Sequence, residues 1–281
     1  MKTLGYYNGV YGELDTMQVP MNDRACSFGD GLYDSAYARN GIVYSLHEHI
    51  ARMYRGAKEL GITPPCSEDE MNRTIHDMVK KVDACEVFVY WQLSRGTMPR
   101  SHACTDDLTA NFWIIIQPMS IRDTYRKIRL LSREDTRFLH CHIKTLNLIP
   151  NVLAATAAKK AGLDECVFHR NGRVTECAHS NIHFIKDNTL VTPPADCMIL
   201  AGIQRGHLMN LCQALGMTVE ERPFSMKEMM DADEILVTSA GSMCLSVSEI
   251  DSVTVGGKNP VLLKQLQDTL LGDFLSATEK K

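Results

Sequence analysis

The order of strand-like and helix-like segments is the feature of this sequence that most constrains its fold. Two helix-like stretches are followed by strands in the first half, and strands alternate with helices in the second. The predicted strands include residues 87–93, 112–116, 128–132, 182–185, 189–191 and 234–238. Mixed strands and helices in two halves predict a two-domain α/β (α+β) protein with an interdomain cleft. We place a smaller N-terminal α/β domain at 1–118, a linker at 119–122 and a larger C-terminal domain at 123–281.

Turn and capping signals locate the ends of several elements. Asn171-Gly172 predicts a type I′ turn that joins strands 166–170 and 173–177. Ser45-x-x-Glu48 and Ser67-x-x-Glu70 have the capping-box pattern, so a helix is predicted after each serine. Later helices are predicted from about Val152 to Ala161 and from near Ile203, Met226 and Pro260.

Composition narrows the classes of function. The 281 residues are 44% hydrophobic and 23% charged, with a formal net charge of −4 and no Lys/Arg-rich tract. These values are ordinary for a globular protein and give no electrostatic footprint for DNA or RNA. No apolar run approaches the ~20 residues that span a bilayer, and the N-terminus lacks the apolar stretch of a secretory signal. We therefore expect a cytoplasmic protein that binds neither nucleic acid nor membrane.

The cysteines indicate neither a disulfide framework nor a metal site. All ten are scattered, without a C-x-x-C pair, which favours reduced thiols in the cytoplasm. His140-Cys141-His142 looks like a set of metal ligands, but alternation along a strand would send the cysteine to the opposite face from the histidines. No partner ligands follow at a recognisable spacing, so we expect no metal.

A single lysine, Lys144, lies among apolar and small polar neighbours at residues 142–147. Loss of hydration there would favour the neutral, nucleophilic amine that forms a Schiff base with an aldehyde cofactor. Glu176 comes later, near the end of a predicted strand, and a carboxylate can keep a pyridine nitrogen protonated. The pair indicates pyridoxal phosphate. The alternative is a surface lysine on a half-exposed strand.

Such a cofactor carries a phosphate, so an anion site is required. Gly202 precedes a helix start, where backbone N–H groups and the helix dipole favour a phosphate. Ser239-Ala240-Gly241 end an apolar strand with small residues that offer further backbone donors. Arg52, on the first amphipathic helix, could add a full positive charge. The alternatives are an ordinary turn at Gly202 and a solvated Arg52.

Arg100 and His102 lie one residue apart in a loop after a strand, so in an extended loop both side chains point the same way. A substrate carboxylate suits them because a guanidinium binds it through two hydrogen bonds. Tyr33 follows a two-glycine turn, and its hydroxyl could bind the same carboxylate. A solvated basic loop and a merely packed tyrosine are the alternatives.

The chain resembles the fold-type IV pyridoxal-phosphate enzymes, which include D-amino acid, branched-chain and amine aminotransferases and aminodeoxychorismate lyase. It is most similar to the bacterial D-amino acid aminotransferases. The similarity runs nearly end to end and is carried by residues 7–9, 28–33, 48–54, 144–147, 175–176 and 180–181. It implies two domains with the active site in the cleft between them.

The resemblance also implies a role for each candidate residue. Lys144 would hold the cofactor aldehyde and move the proton of the reaction, and Glu176 would pair with the pyridine nitrogen. The phosphate site would comprise Arg52, Gly202, Ile203, Gln204, Ser239, Ala240 and Gly241, with Leu200 packed on the ring. The substrate carboxylate would be held by Tyr33, Arg100 and His102, the last two supplied by the neighbouring subunit of a homodimer.

Four places in the sequence depart from the pattern of these enzymes. Cys177-Ala178-His179 replace a small-residue, serine-rich run after the glutamate. Gln204 stands where D-amino acid aminotransferases often carry threonine, and Ala240-Gly241 replace a pair of hydroxyl residues. Both changes remove side-chain donors to the phosphate while keeping backbone ones. Asp34, after Tyr33, replaces the usual glutamate.

The function that the resemblance implies is transamination between 2-oxo acids and D-amino acids such as D-alanine, D-glutamate and D-aspartate. The Arg100 and His102 pair is the main reason to prefer D-amino acids over branched-chain L-amino acids. Three alternatives remain: a branched-chain L-amino acid aminotransferase, an elimination like that of aminodeoxychorismate lyase, and a cofactor-binding protein without catalysis.

Overall fold

The computed structural model describes residues 1–280, which form two compact units. The first unit contains Met1–Ile121, Ile143–Asn147 and the C-terminal residues from Phe274 onward. The second unit contains Arg122–His142 and Leu148–Asp273. Lys144 therefore belongs to the first unit and Glu176 to the second.

The first unit is built on a six-stranded antiparallel sheet. Its strands are β1 (Leu4–Tyr7), β2 (Val10–Gly12), β3 (Gly31–Arg39), β4 (Ile42–Val43), β5 (Glu86–Ser94) and β6 (Asn111–Pro118). Their order across the sheet is β2-β1-β6-β5-β3-β4. The helices are α1 (Arg24–Phe28), α2 (Leu46–Leu60) and α3 (Glu68–Val79), with a 3-10 turn at Leu14–Thr16.

Alternation of side chains along the strands gives this sheet two different faces. One face buries Leu32, Trp91 and Ile114 against Ile50 of α2 and Ile75 of α3, and none of the five is more than 1% exposed. Removing this apolar surface from water is the main force that holds α2 and α3 on the sheet. The residues that alternate with these along β3 and β5 point to the opposite face, which carries Tyr33, Tyr90 and Gln92.

The second unit is built on a nine-stranded mixed sheet. Its strands are β7 (Lys127–Glu134), β8 (Glu165–Arg170), β9 (Arg173–Cys177), β10 (Asn181–Lys186), β11 (Thr189–Thr192), β12 (Thr218–Glu221), β13 (Glu234–Ser239), β14 (Met243–Ile250) and β15 (Val253–Thr254). The order is β12-β11-β10-β13-β14-β7-β8-β9, and β15 pairs with β14. β7 runs parallel to β8 and β14, and β11 runs parallel to β12. The buried core includes Phe184, Ile235 and Val247.

Four helices complete the chain: α4 (Ile149–Lys160), α5 (Ile203–Ala214), α6 (Met226–Met230) and α7 (Pro260–Ala277). The last residues of α7, from Phe274, belong to the first unit. Within residues 1–280, no helix combines the length and the apolar character that a membrane span needs.

The helices and the hairpin turn predicted from sequence are present, with two differences in detail. The helix predicted from about Val152 begins at Ile149. Asn171 and Gly172 join β8 to β9 with φ values of 51° and 78°. Ser67 forms the predicted capping box with Glu70. The capping box at Ser45 is wrong, although α2 begins directly after it. Ser45 has a φ of 51°, and this left-handed backbone turns its side chain away from the helix amides that an N-cap in extended conformation would reach.

The position of Lys144 differs from the sequence prediction, which placed it in a C-terminal domain of residues 123–281. Ile143–Asn147 groups with the first unit because backbone hydrogen bonds join it to β3. The chain passes between the units at Ile121 and Arg122, and it returns to the first unit at Phe274. A single boundary at residues 119–122 cannot describe a unit that is made from three separate segments.

Gly31, the first residue of β3, provides a test of this packing. A Cβ atom there would collide with the carbonyl oxygen of Leu93 and would lie 2.9 Å from Cδ1 of Leu146. We expect Gly31→Ala to lower the free energy of unfolding by about 1–3 kcal/mol, because the Leu93 carbonyl belongs to a central strand and cannot move aside. Urea denaturation measures this value.

Gly272→Ala is the matched control, since a Cβ atom at that exposed position of α7 meets no atom within 4 Å. It should raise the free energy of unfolding by roughly 0.5–1 kcal/mol, because alanine loses less backbone entropy in a helix. A Gly31→Ala protein as stable as the wild type would contradict the packing described for β3.

Candidate active site

The segment Ile143–Asn147 lies along β3 and is held there by its backbone. The N–H of Tyr33 donates to the carbonyl of Lys144 at 2.9 Å, and the N–H of Leu146 donates to the carbonyl of Gly31 at 3.1 Å. These two hydrogen bonds fix the position of Lys144 along β3. They also explain why so short a segment stays with the first unit.

The side chain of Lys144 lies over Tyr33. Its Nζ is 4.4 Å from the ring centroid and 3.4 Å from the hydroxyl oxygen. Ile143 and Thr145, on either side of the lysine, are each 6% exposed. Alternation therefore sends Lys144 to the other side of the segment, where it is half-buried. The aromatic face and the hydroxyl together hold the amine in a fixed place.

Tyr33 is itself held by Tyr90 of β5, which is fixed in turn by Gln92 of the same strand. Its ring stacks on Tyr90 with centroids 5.4 Å apart, and the Tyr90 hydroxyl donates to Oε1 of Gln92 at 2.7 Å. Burial raises the pKa of Tyr90, so its hydroxyl stays protonated and remains a donor. Sequence reasoning did not find this pair. The signal available was the two-residue spacing of Tyr90 and Gln92, which places both on the face that carries Tyr33.

Arg52 is bound to Asp34. Its Nε and Nη2 lie 3.0 and 2.8 Å from the two carboxylate oxygens, and Nδ1 of His49 lies 2.8 Å from Oδ1. Burial would raise the pKa of Asp34, but the charge of Arg52 and the contact with His49 outweigh it and hold the pKa well below its usual range. The structure thus fixes the guanidinium of Arg52. Its role in phosphate binding stays a prediction.

Arg100 and His102 lie in an exposed loop and are brought together around Phe28. The Arg100 guanidinium is 4.9 Å from the Phe28 ring centroid, and the His102 ring is 5.2 Å from it. Arg24 holds this loop by donating to the carbonyls of Ser101 at 2.7 Å and His102 at 3.1 Å. The two side chains therefore contact the same aromatic ring, and both are exposed.

Glu176 is buried at the end of β9 among hydrogen-bond donors. Its Oε1 pairs with the guanidinium of Arg137, and its Oε2 accepts from Asn181 Nδ2 and from the Leu200 N–H, each at 3.0 Å. Arg137 also donates to Asp135 Oδ2 at 2.8 Å. Donors on both oxygens favour the ionised form of a carboxylate.

Sequence reasoning missed Arg137 and Asp135, although they follow β7 directly as an Asp-x-Arg pair. Burial disfavours the charge of Arg137, but the hydrogen bonds and charges of Asp135 and Glu176 outweigh it and raise the pKa of the guanidinium. Burial likewise opposes the charge of Asp135, whose pKa is nevertheless lowered by Arg137. The result is a buried carboxylate, Glu176, whose counter-charge is fixed in place.

The start of α5 has the features expected of an anion site. Gly202 is its N-cap residue and offers no side-chain cap, and the first turn contains no acidic residue. A Cβ atom at Gly202 would collide with Oδ1 of Asn181, whose Nδ2 donates to the Leu200 carbonyl at 2.8 Å. Gln204, in the first turn, is 3% exposed, and its side-chain amide has no hydrogen-bond partner in residues 1–280.

The turn after β13 is stabilised by a hydrogen bond between two of its own side chains. The hydroxyl groups of Ser239 and Ser242 lie 2.8 Å apart, and the Gly241 carbonyl accepts from the N–H of Arg122 at 2.8 Å. With the Ser239 hydroxyl in contact with Ser242, the turn offers backbone N–H groups, as the small residues Ala240 and Gly241 suggested. Its role in phosphate binding stays a prediction.

Asp34 provides a pH-dependent test of this geometry. Asp34→Asn would leave the partly buried Arg52 without its counter-charge, so we expect the free energy of unfolding at pH 7 to fall by up to about 3–5 kcal/mol. Because the pKa of Asp34 is lower in the folded state, its contribution is complete above the unfolded pKa of about 3.9 and is lost as the pH falls below it. The difference between wild type and variant should therefore shrink below about pH 4.

The matched control is Asp77→Asn, which removes an exposed carboxylate from α3. It should change the free energy of unfolding by less than about 0.5 kcal/mol at any pH. Urea denaturation between pH 3 and pH 8 measures both variants. A difference for Asp34→Asn that stays constant down to pH 3 would show that Asp34 does not carry the charge assigned to it.

Comparison with curated proteins identifies relatives over the whole chain. The D-alanine aminotransferase of Bacillus licheniformis is 35% identical over 285 aligned residues, which cover 100% of this chain and 99% of the relative. A D-alanine aminotransferase of Listeria monocytogenes is 31% identical, with 94% of each chain covered. The sequence pattern described as "Amino-transferase class IV" matches residues 31–250.

Solved structures share the fold. The branched-chain amino acid aminotransferase of Escherichia coli has a TM-score of 0.89 at 21% identity and covers 99% of this chain and 96% of its own. A putative 4-amino-4-deoxychorismate lyase of Legionella pneumophila has a TM-score of 0.85 at 24% identity, with 92% and 96% covered. The prediction of a fold-type IV architecture is confirmed. The chain belongs to the class IV aminotransferase family.

Proposed function

We propose that this protein transfers amino groups between D-amino acids and 2-oxo acids and uses pyridoxal 5′-phosphate as its cofactor. The observation that carries the proposal is the similarity to D-alanine aminotransferases along the entire chain. The half-buried amine of Lys144, held against Tyr33, supports it because a Schiff-base lysine must be kept in a fixed position.

The residues present fit this cofactor. The uncapped first turn of α5 offers N–H groups to a phosphate, and the buried Gln204 amide beside it has no hydrogen-bond partner among residues 1–280. Glu176 supplies a carboxylate that would pair with a protonated pyridine nitrogen, and Lys144 supplies an amine for an aldehyde. When bound, pyridoxal phosphate supplies that aldehyde and an electron-withdrawing ring that stabilises a carbanion.

Two side chains would carry the proton chemistry. The Nζ of Lys144 would move a proton from the α-carbon of the substrate and return it at the neighbouring cofactor carbon. Glu176 would hold a proton on the pyridine nitrogen, and its own position is set by Arg137 and Asn181. A general acid–base group of this kind contributes about 10²- to 10⁴-fold to the rate.

The remaining assignments concern binding. We assign the phosphate to Arg52, Gly202, Ile203, Gln204 and the turn of Ser239, Ala240 and Gly241, and the ring face to Leu200. The N–H groups of Ile203 and Gln204 suit a phosphate because no side chain caps their helix.

We assign the substrate carboxylate to Tyr33, Arg100 and His102, with Arg100 and His102 supplied by the partner subunit of a homodimer. Their exposure in the single chain supports this arrangement, since both are available to a second copy. All ten cysteines are free thiols, which supports a place in the reducing cytoplasm.

The direct test is an assay of transamination with a D-amino acid and with an L-amino acid. We expect pyruvate to form from D-alanine and 2-oxoglutarate, with no reaction of L-leucine under the same conditions. Lys144→Ala should lower the D-alanine rate at least about 100-fold, because the proton carrier is removed. Lys160→Ala, at an exposed position of α4, is the control and should react like the wild type. Reaction with L-leucine alone would contradict the proposal and favour a branched-chain enzyme.

A variant of Arg100 tests the assignment of this residue to the substrate carboxylate. Arg100→Met should raise the KM for D-alanine roughly 10-fold or more, because a charge-assisted hydrogen bond to the substrate carboxylate is lost. Steady-state kinetics measure the change, and Arg73→Met on the exposed face of α3 is the matched control. An unchanged KM would remove Arg100 from the carboxylate site.

A further inference from the structure

Gln92 of β5 carries a side-chain amide on the face of the sheet that also carries Tyr33. It is 5% exposed, and the register of β3 and β5 places it directly opposite Tyr33. Side chains that stand opposite each other in an antiparallel pair share one face and have Cβ atoms about 5 Å apart. Because Lys144 lies over the ring of Tyr33, the amide of Gln92 belongs to the surroundings of the amine that would react.

Tyr90 fixes which end of this amide is free. Its hydroxyl donates to Oε1 of Gln92 at 2.7 Å, and burial raises the pKa of Tyr90, so the hydroxyl keeps its proton. Oε1 is thereby engaged, and Nε2 is the end of the amide that can only donate. Within residues 1–280, no acceptor takes a hydrogen bond from Nε2.

Nε2 of Gln92 also remains accessible. The side-chain nitrogen atoms that are fully enclosed without a partner in residues 1–280 include the indole nitrogens of Trp91 and Trp113, and Nε2 of Gln92 is not among them. Its N–H groups lie on a side chain that has lost most of its hydration, and an unpaired donor in that state destabilises the structure. The amide therefore favours an acceptor that a ligand brings.

The chain itself supplies no competing acceptor next to Gln92. The indole of Trp113, with which it is paired on β6, can only donate. Asp23 is a buried carboxylate at this end of β5, but it already accepts from the Ser94 hydroxyl at 2.9 Å and from Asn111 Nδ2 at 2.7 Å. The amide of Gln92 is thus left for a group from outside the chain.

The chemistry of a donor selects the group that it binds. An amide N–H forms a stronger hydrogen bond with an ionised carboxylate oxygen than with a neutral oxygen. An aliphatic group in the same place would shield the N–H groups from water without pairing them. The ligand group that suits Nε2 is therefore an oxygen atom, above all that of a carboxylate.

We propose that Gln92 is a specificity-determining residue whose Nε2 donates a hydrogen bond to an oxygen atom of the substrate side chain. The inference rests on the proposed function, because the substrate is the amino acid or oxo acid whose α-carbon Lys144 would serve. Substrates with a side-chain carboxylate, such as D-glutamate and 2-oxoglutarate, are favoured over aliphatic substrates of the same length. Tyr90 acts through Gln92 and is a positioning residue.

Binding of oxo acids to the enzyme that holds pyridoxal phosphate tests the proposal, because this form carries no amino group to transfer and binding is measured without turnover. Calorimetric titration compares 2-oxoglutarate with 2-oxopentanoate, in which a methyl group replaces the side-chain carboxylate. Gln92→Leu should weaken binding of 2-oxoglutarate roughly 10- to 100-fold and that of 2-oxopentanoate less than about threefold. In steady-state assays, the KM for 2-oxoglutarate should rise by a similar factor.

Gln92→Glu separates recognition from a structural role. Its carboxylate still accepts from Tyr90, so the stack of Tyr90 on Tyr33 is kept, but it has no donor and repels the substrate carboxylate. It should weaken 2-oxoglutarate binding at least as much as leucine does, and it keeps the test decisive where the leucine variant fails to fold. The matched control is Gln213→Leu at an exposed position of α5, which should alter neither affinity.

Three outcomes would overturn the proposal: an unchanged affinity for 2-oxoglutarate in both Gln92 variants, equal losses for the two oxo acids in Gln92→Glu, or equal affinities of the wild type for both oxo acids. A wild-type protein that binds the oxo acids with the expected selectivity but reacts only with L-amino acids would contradict the proposed function and support the assignment of Gln92. A wild-type protein that binds neither oxo acid would contradict both.

Discussion

The pairing of the Lys144 segment with β3 is the interaction on which the rest of the candidate site depends. Two backbone hydrogen bonds, of 2.9 and 3.1 Å, attach the segment to the strand. They place the amine of Lys144 over Tyr33, and the stack of Tyr33 on Tyr90 fixes the ring beneath it. The lack of a Cβ atom at Gly31 makes room for the carbonyl oxygen of Leu93 and the side chain of Leu146. The position of Lys144 is therefore set by the pairing of its backbone with β3, and its own flexible side chain contributes little.

A second constraint is the pairing of every buried charge that the site requires. Asp34 is matched by Arg52, and Glu176 is matched by Arg137. Such pairs contribute little to net stability, because removing two charges from water offsets most of their attraction. What they provide is position: a carboxylate fixed between donors cannot reorient toward another partner. Gln204 is the contrasting case, since its buried amide is matched by no group in residues 1–280.

Local patterns predicted much of this structure from the sequence, and the parts they missed depend on distant pairing. The helix after Ser67 follows from its capping box, and the turn at Asn171 and Gly172 follows from the backbone preferences of those two residues. The motifs around Lys144 and Glu176 were sufficient to select both as candidate site residues. The pairing of Tyr33 with Gln92 and its stack on Tyr90 arise from the register of β3 and β5, whose residues lie far apart in sequence, and no local pattern encodes such a register.

The central claim, that the lysine docked on β3 is the one that carries the cofactor, can be tested chemically. Borohydride reduction of the protein with pyridoxal phosphate bound would fix the cofactor to its lysine, and mass spectrometry of the digest would locate it. The structure predicts a phosphopyridoxyl group on the peptide that contains Lys144, and its absence in the Lys144→Ala protein. A group found on another lysine, or none at all, would contradict the claim.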